Sequence, residues 1–177
     1  MIWEFQFLYW LQEQRTVWLD WLMPKVTALG NMGMFWVSLG FFLVCMERTR
    51  KTGLSMLVSI AVGAVIGNLL IKNIVARERP CWIDPQVLLL IENPKDYSFP
   101  SGHTLVSFEG AVSILLKHRR WGIAALVLAV LIAGSRLYLF VHFPTDVLCG
   151  AVLGTIIAVL VGRWIRPLAD ASQEDYF

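Results

Sequence analysis

The sequence predicts an all-α, polytopic membrane bundle: five spanning helices behind an N-terminal amphipathic helix at the interface, with six spanning helices as the alternative. Three observations predict it. Hydrophobic residues fill 57% of the 177 positions and charged residues only 16%, well under the roughly 25% of an ordinary soluble domain. The apolar residues are gathered into long uncharged runs, and a bilayer crossing takes ~20 such residues at ~1.5 Å each. The charges that remain cluster at the ends of those runs. This composition excludes a disordered or collagen-like chain. Cys45 and Cys149 lie in apolar runs, so the three cysteines do not make a disulfide framework. A net charge of +2 leaves no basic footprint for nucleic acid.

In chain order, residues 1–22 carry Trp3, Phe7, Trp10, Leu11, Trp18, Trp21 and Leu22 at helical spacing, interrupted by Gln12-Glu13-Gln14-Arg15-Thr16. Five consecutive polar residues are expensive at mid-bilayer, whereas a helix lying in the interface tolerates them. Tryptophan suits that depth. Glu4, Glu13 and Asp20 argue against a signal peptide. The first span is read across the uncharged run Val26 to Met46, and the second across Thr52 to Ile71. A polar stretch from Lys72 to Pro100 follows. The third span, Ser101 to Leu116, is short and broken only by Glu109; Trp121 to Val141 and Val147 to Gly162 make the fourth and fifth. Residues 23–168 thus form one membrane-embedded domain, with 169–177 as a cytoplasmic tail.

Orientation comes from the basic residues. Arg48, Arg50, Lys51, Lys117, Arg119, Arg120, Arg163 and Arg166 share one side, and Lys25, Lys72, Arg77, Arg79, Lys95 and Arg136 the other. Three of the second group belong to the chemistry below, so the first group marks the cytoplasm by the positive-inside rule. His118 falls on that cytoplasmic side, as a solvated loop residue.

Three clusters fall at span ends on the outer side. Lys72 and Arg79-Pro80 line one stripe if the helix continues until Pro80 ends it. Pro100-Ser101-Gly102-His103 opens a span, where free N–H groups and the helix dipole favour an anion. Ser135-Arg136 is followed by His142 and Asp146; Pro144 suits the first helical position and puts Asp146 in the first turn. Three cations, a helix N-terminus and two histidines are the parts phosphoryl transfer asks for. A single such cation would be read as snorkelling at the interface. Three converging on one side with two histidines would not.

These clusters resemble the type 2 phosphatidic acid phosphatase family, whose signatures read Lys, six residues, Arg-Pro; Pro-Ser-Gly-His; and Ser-Arg, five residues, His, three residues, Asp. All eleven fixed positions are present in order and at that spacing, over roughly Val26 to Arg166. The resemblance implies that His142 is a nucleophile forming a phosphohistidine, that Asp146 orients its ring, and that His103 is the general acid. It implies phosphate binding by Lys72, Arg79, Arg136, Ser101 and the Gly102 N–H, with no metal and no cofactor. Asp146 is expected as the sole acidic site residue, in keeping with that. A helix N-terminus disfavours a cationic His103, which bound phosphate would offset; activity is expected to fall on the alkaline side as this acid is lost.

The resemblance further implies a lipid phosphate or pyrophosphate substrate taken from the bilayer at the outer surface of a bacterial plasma membrane. Undecaprenyl pyrophosphate, the cell-wall carrier lipid, is the leading substrate; phosphatidylglycerophosphate or phosphatidic acid is the alternative. From another class, an anion-binding transporter would need polar groups continuing through the bundle. Three further residues are candidates for supporting the site or lining the substrate's path. Glu109 is expected to join helices ahead of lining a substrate path. Arg77 could reach a second phosphate or a headgroup, and Ser135 neighbours Arg136. Residues 82–99 suggest a short amphipathic helix capping the site. Oligomeric state is left open.

Overall fold

The first two helices, α1 (Ile2–Glu13) and α2 (Val17–Ala28), meet at the polar run that interrupts the N-terminal periodicity. Thr16 caps α2, its Oγ1 accepting from the Leu19 N–H at 3.3 Å. The costly polar residues thus form a corner. In this computed structural model, which describes residues 2–174 with side chains as far as residue 165, there is no strand among the described residues. At 12 residues, α1 is ~18 Å long, short of a crossing. Its buried side chains are Glu4 and Leu8, while Trp3 and Trp10 face outward. An outward aromatic face with an inward carboxylate is the pattern of a helix wetted by lipid and packed on a polar site.

The sequence reading carries one helix across 26–46. The structure breaks it. After α2 comes a 3₁₀ turn, Asn31–Gly33, and then α3 (Met34–Cys45), bent by 43° from α2. Met32 (φ 50°) and Gly33 (φ 67°) are left-handed, which ends a right-handed helix. Tight packing accounts for the small residues here: a Cβ at Gly30 would sit 2.6 Å from the His103 ring.

The next run holds α4 (Arg50–Gly63), a π-helical stretch (Ala64–Ile71) and α5 (Lys72–Val75). The expected continuation to Pro80 does not occur. Ala76 turns left-handed (φ 46°), and Arg79 is extended, as a residue before proline must be. α6 is only Pro80–Ile83, and residues 84–100 are turns and bends, so the amphipathic helix expected over 82–99 is absent. Pro85, Pro94 and Pro100 explain why. Val87, Leu89, Leu90 and Ile91 instead pin this loop onto the apolar cluster around Leu8 and Phe140.

Last come α7 (Gly102–Leu115), α8 (Arg119–Tyr138) and α9 (Pro144–Glu174). α7 is central, packing on α4, α8 and α9. Small residues let the backbones approach: a Cβ at Gly154 would lie 2.5 Å from the Leu105 carbonyl, and one at Gly122 would lie 2.2 Å from Leu115 Cα. Among the described residues, three helical runs are long and apolar enough to cross a membrane, or four with bent α2–α3 counted as one. Thr52 Oγ1 lies 3.2 Å from His118 Nε2, so the basic stretches at 48–51 and 117–120 share one end of the bundle. His118 is therefore a bonded residue, where the sequence suggested a solvated one.

Trp36 is fully buried, with Nε1 donating to Ser107 Oγ at 3.0 Å, and a Cβ at Gly110 would stand 2.2 Å from its ring. Gly110→Ala is expected to cost about 1–3 kcal/mol through overpacking, beyond its gain in helix propensity. Thermal unfolding in detergent, followed by tryptophan fluorescence, measures it.

Candidate active site

The three clusters converge on one cavity of about 730 Å³, lined by Lys72, Arg79, Gly102, His103, Arg136 and His142. Each arrives from a helix end. Lys72 opens α5, Arg79 caps α6, Gly102 and His103 open α7, Arg136 closes α8, and His142 sits in the turn before Pro144 starts α9. All three cations are buried, as is His142.

His142 is held from both sides. Arg79 Nη1 donates to the Val141 carbonyl at 2.7 Å and lies 3.0 Å from His142 Nε2. A guanidinium has only donors, so Nε2 accepts and the ring proton resides on Nδ1. That proton faces Ser98 Oγ at 3.3 Å and Asp146 Oδ2 at 3.6 Å. The Ser98 hydroxyl donates in turn to Asp146 Oδ2, which also accepts from the Phe143 N–H at 2.9 Å. Burial, then the Arg79, Arg136 and Lys72 cations, hold the His142 imidazole well below its ordinary pKa. The ring is therefore neutral near pH 7, the state in which Nε2 has a lone pair to offer.

An acidic residue unforeseen as a site member sits among the cations. Asp96, in the 84–100 loop, accepts from Lys72 Nζ through one carboxylate oxygen and from Arg79 Nη2 at 2.8 Å through the other. Its backbone carbonyl takes Arg79 Nε at 2.7 Å. Desolvation pushes the Asp96 carboxyl up, but the Lys72 and Arg79 charges outweigh it and bring it down to about 2. The pairing is thus present above the free carboxyl value of 3.8 and lost only as pH falls through about 2. A carboxylate here occupies the donors that a phosphate would use.

The expectation that Asp146 is the sole acidic site residue is therefore corrected, since Glu92 and Glu109 line the cavity beside Asp96. The Glu109 Oε1 is buried without a hydrogen-bond partner, in space left by Gly63 of α4. Ser135 and Ser101 lie outside the cavity lining. Ser135 Oγ donates back to the Ile132 carbonyl at 2.6 Å, and Ser101 Oγ accepts from Thr104 at 3.0 Å. Ser101 acts through its backbone, whose N–H donates to the Asp146 carbonyl at 3.1 Å and ties α7 to α9. Arg77 lies outside the cavity lining, and its Nη1 donates to Asp146 Oδ1 at 2.6 Å.

The sequence reading also missed Asn31, whose Oδ1 lies 2.9 Å from His103 Nε2, and Ser98. Ser98 stands two residues before Pro100-Ser101, the one local signal available. Arg136 Nη1 donates to Thr27 Oγ1 at 2.7 Å, leaving its Nε without a partner.

Residues 52–169 match the PAP2 superfamily. The chain belongs to that family. Among PAP2 relatives, an undecaprenyl-diphosphatase from Sulfolobus acidocaldarius is 38% identical over 126 residues, which are 71% of this chain and 61% of that protein's length. The crystal structure of Aquifex aeolicus LpxE superposes with a TM-score of 0.76 at 26% identity, covering 89% of this chain and 93% of that one. A transmembrane PAP2 type phosphatidylglycerolphosphate phosphatase from Bacillus subtilis superposes with a TM-score of 0.69 at 31% identity, covering 86% and 79%. The all-helical expectation and the resemblance read from the three signatures both hold.

Within this PAP2 cavity, Asp96 competes with any incoming anion for Lys72 and Arg79. Asp96→Asn is expected to bind inorganic phosphate several-fold more tightly, measured by titration calorimetry of the protein in detergent. Weaker binding would assign Asp96 to organising the cations.

Proposed function

We propose that the protein is a phosphatase that hydrolyses a lipid phosphate or pyrophosphate through a phosphohistidine on His142. One observation carries this reading: a neutral imidazole, its proton held on Nδ1, turns Nε2 toward three buried cations in one cavity. Incoming phosphate takes the donors of Lys72 and Arg79 from Asp96 and draws Arg79 Nη1 from His142, which frees the Nε2 lone pair. Arg136, with an unpaired Nε, adds a third donor. Nε2 attacks phosphorus, the bond to the leaving oxygen breaks, and His103 gives that oxygen its proton. Asp146 and Ser98 stabilise the charge that develops on the ring. Water, deprotonated by His103, then attacks the phosphohistidine and releases inorganic phosphate. The Gly102 N–H at the start of α7 supports the transferring oxygens.

Undecaprenyl pyrophosphate is the leading substrate, supported by the similarity to a protein of that activity. A phosphatidylglycerophosphate substrate is the second reading, favoured by the Bacillus subtilis likeness. The bundle reads as five crossings, with bent α2–α3 as the first and the 14-residue α7 as a short central one. α1 lies at the interface over the site. The site faces outward on this reading, because the basic stretches at 48–51 and 117–120 occupy the opposite end.

Phosphate release by the purified chain across a panel of lipid phosphates tests the activity, beside His142→Ala. The variant is expected to lose release by at least about 10³-fold, on the scale of removing a triad member. An acid-labile phosphoenzyme is expected in the wild type alone. Equal release by both proteins would end the phosphohistidine assignment. The rate is expected to hold on the acid side below the ordinary histidine value of about 6.5, since burial and the neighbouring cations keep His142 neutral there.

Sidedness is read separately. Cys81 is buried, so exposed Cys45 at the end of α3 is the better probe. An impermeant thiol reagent is expected to reach it from the cytoplasm only.

A further inference from the structure

Asp146 is wholly buried, and a buried carboxylate needs compensation for its charge on every lone pair. Its Oδ2 is taken by Ser98 and the Phe143 N–H and faces His142. Its Oδ1 has one side-chain donor, Arg77 Nη1, at 2.6 Å. The same nitrogen donates to Thr145 Oγ1 at 2.7 Å. Arg77 is itself fixed by two further contacts. Its guanidinium carbon lies 4.0 Å from the centre of the Phe143 ring, and its Nη2 donates to Glu4 Oε2 at 2.8 Å. Glu4 Oε1 then accepts from the Thr145 hydroxyl at 2.6 Å. Glu4 is buried although it sits on the first helix of the chain.

We propose that Arg77, anchored by Glu4 of α1, is a positioning residue that fixes the Asp146 carboxylate and through it the His142 ring. It acts from behind the nucleophile, since Arg77 is absent from the cavity lining. Two physical consequences follow. A guanidinium on Oδ1 sets the plane of the carboxylate, so Oδ2 stays aimed at Nδ1. The guanidinium charge also compensates the buried carboxylate, which keeps Asp146 in place beside the ring. Lysine would keep the charge and lose the fork. α1 thereby becomes part of the catalytic apparatus, because its carboxylate holds the arginine against Asp146.

This inference rests on the phosphatase reading, so turnover of wild-type protein on phosphatidic acid in detergent micelles is the control for that reading. Arg77→Gln is expected to lower kcat about 100-fold with KM within about twofold, the scale of an ångström of misplacement. Glu4→Gln is expected to act in the same sense by about tenfold, and Arg77→Lys to fall between wild type and Arg77→Gln. A raised KM at unchanged kcat would overturn the proposal by placing Arg77 on the phosphate. Should Arg77→Gln fail to fold, Arg77→Lys and Glu4→Gln decide, and unchanged kcat in both would also overturn it. Nitrogen-15 NMR of His142 needs no turnover. The proton is expected on Nδ1 in the wild type, with the Nδ1–H signal shifted in Glu4→Gln as the carboxylate facing it moves, and unchanged His142 signals in every variant would refute the positioning role.

Discussion

Three cations share one buried cavity inside an apolar bundle, and much of the surrounding structure compensates for that. Each buried charge costs several kcal/mol unless it is paired and hydrogen-bonded. Lys72 and Arg79 meet Asp96, and Arg79 adds the carbonyls of Val141, Asp96 and Tyr97. Arg136 meets only Thr27 through Nη1. The compensation is thus uneven, complete at Arg79 and partial at Arg136. An anion gains most where donors are still free, so the field that must be quenched at rest also selects the ligand. A loop carboxylate, more exposed than the cations it serves, quenches that field at low cost because it can leave.

The same cations set the state of the histidine. A positive surround makes an imidazolium unfavourable at position 142, which suits the proposed nucleophile, and a bound phosphate would reverse that field. Asp146 lies on the opposite edge of the ring, screened from the cations by the imidazole itself. Its own charge is met by Arg77, a cation kept out of the cavity. On the proposed mechanism, separating the cation that holds the carboxylate from those that would hold the phosphate prevents one arginine from serving both. A shared arginine would drop Asp146 at the moment the ring becomes charged.

How much of this was legible in the sequence depends on distance along the chain. Lys72, Arg79, His103, Arg136, His142 and Asp146 occupy helix ends at fixed spacings, so counting residues finds them. The charge deficit and the uncharged runs give the helical membrane class by the same local arithmetic. Asp96, Ser98, Asn31 and Glu4 reach the site across 24, 44, 72 and 141 residues, with no periodicity to betray them. The break at Met32–Gly33 was hidden for another reason. Nothing in an uncharged run distinguishes a straight helix from a bent one, and Gly30 and Gly33 are intelligible only once His103 and Val106 are seen against them.

The backbone itself marks the same place. Among the described residues, Met32, Ala76 and Phe140 are the non-glycine residues with positive φ, a conformation that costs roughly 1–3 kcal/mol each. Met32 adjoins Asn31, Ala76 adjoins Arg77 and lies three before Arg79, and Phe140 lies two before His142. They come from three separate stretches of chain, each beside a residue of the site. Irregular backbone is tolerated at membrane depth only where protein or a cavity receives its freed polar groups. Here the freed groups are put to use: the Ala76 turn releases Arg77 and Arg79 in different directions, and the Phe140 turn presents the Val141 carbonyl to Arg79 while swinging His142 inward. A regular helix through any of the three would be more stable locally and would aim its side chain elsewhere. The strain is therefore independent support for the site, since it was located without reference to any motif.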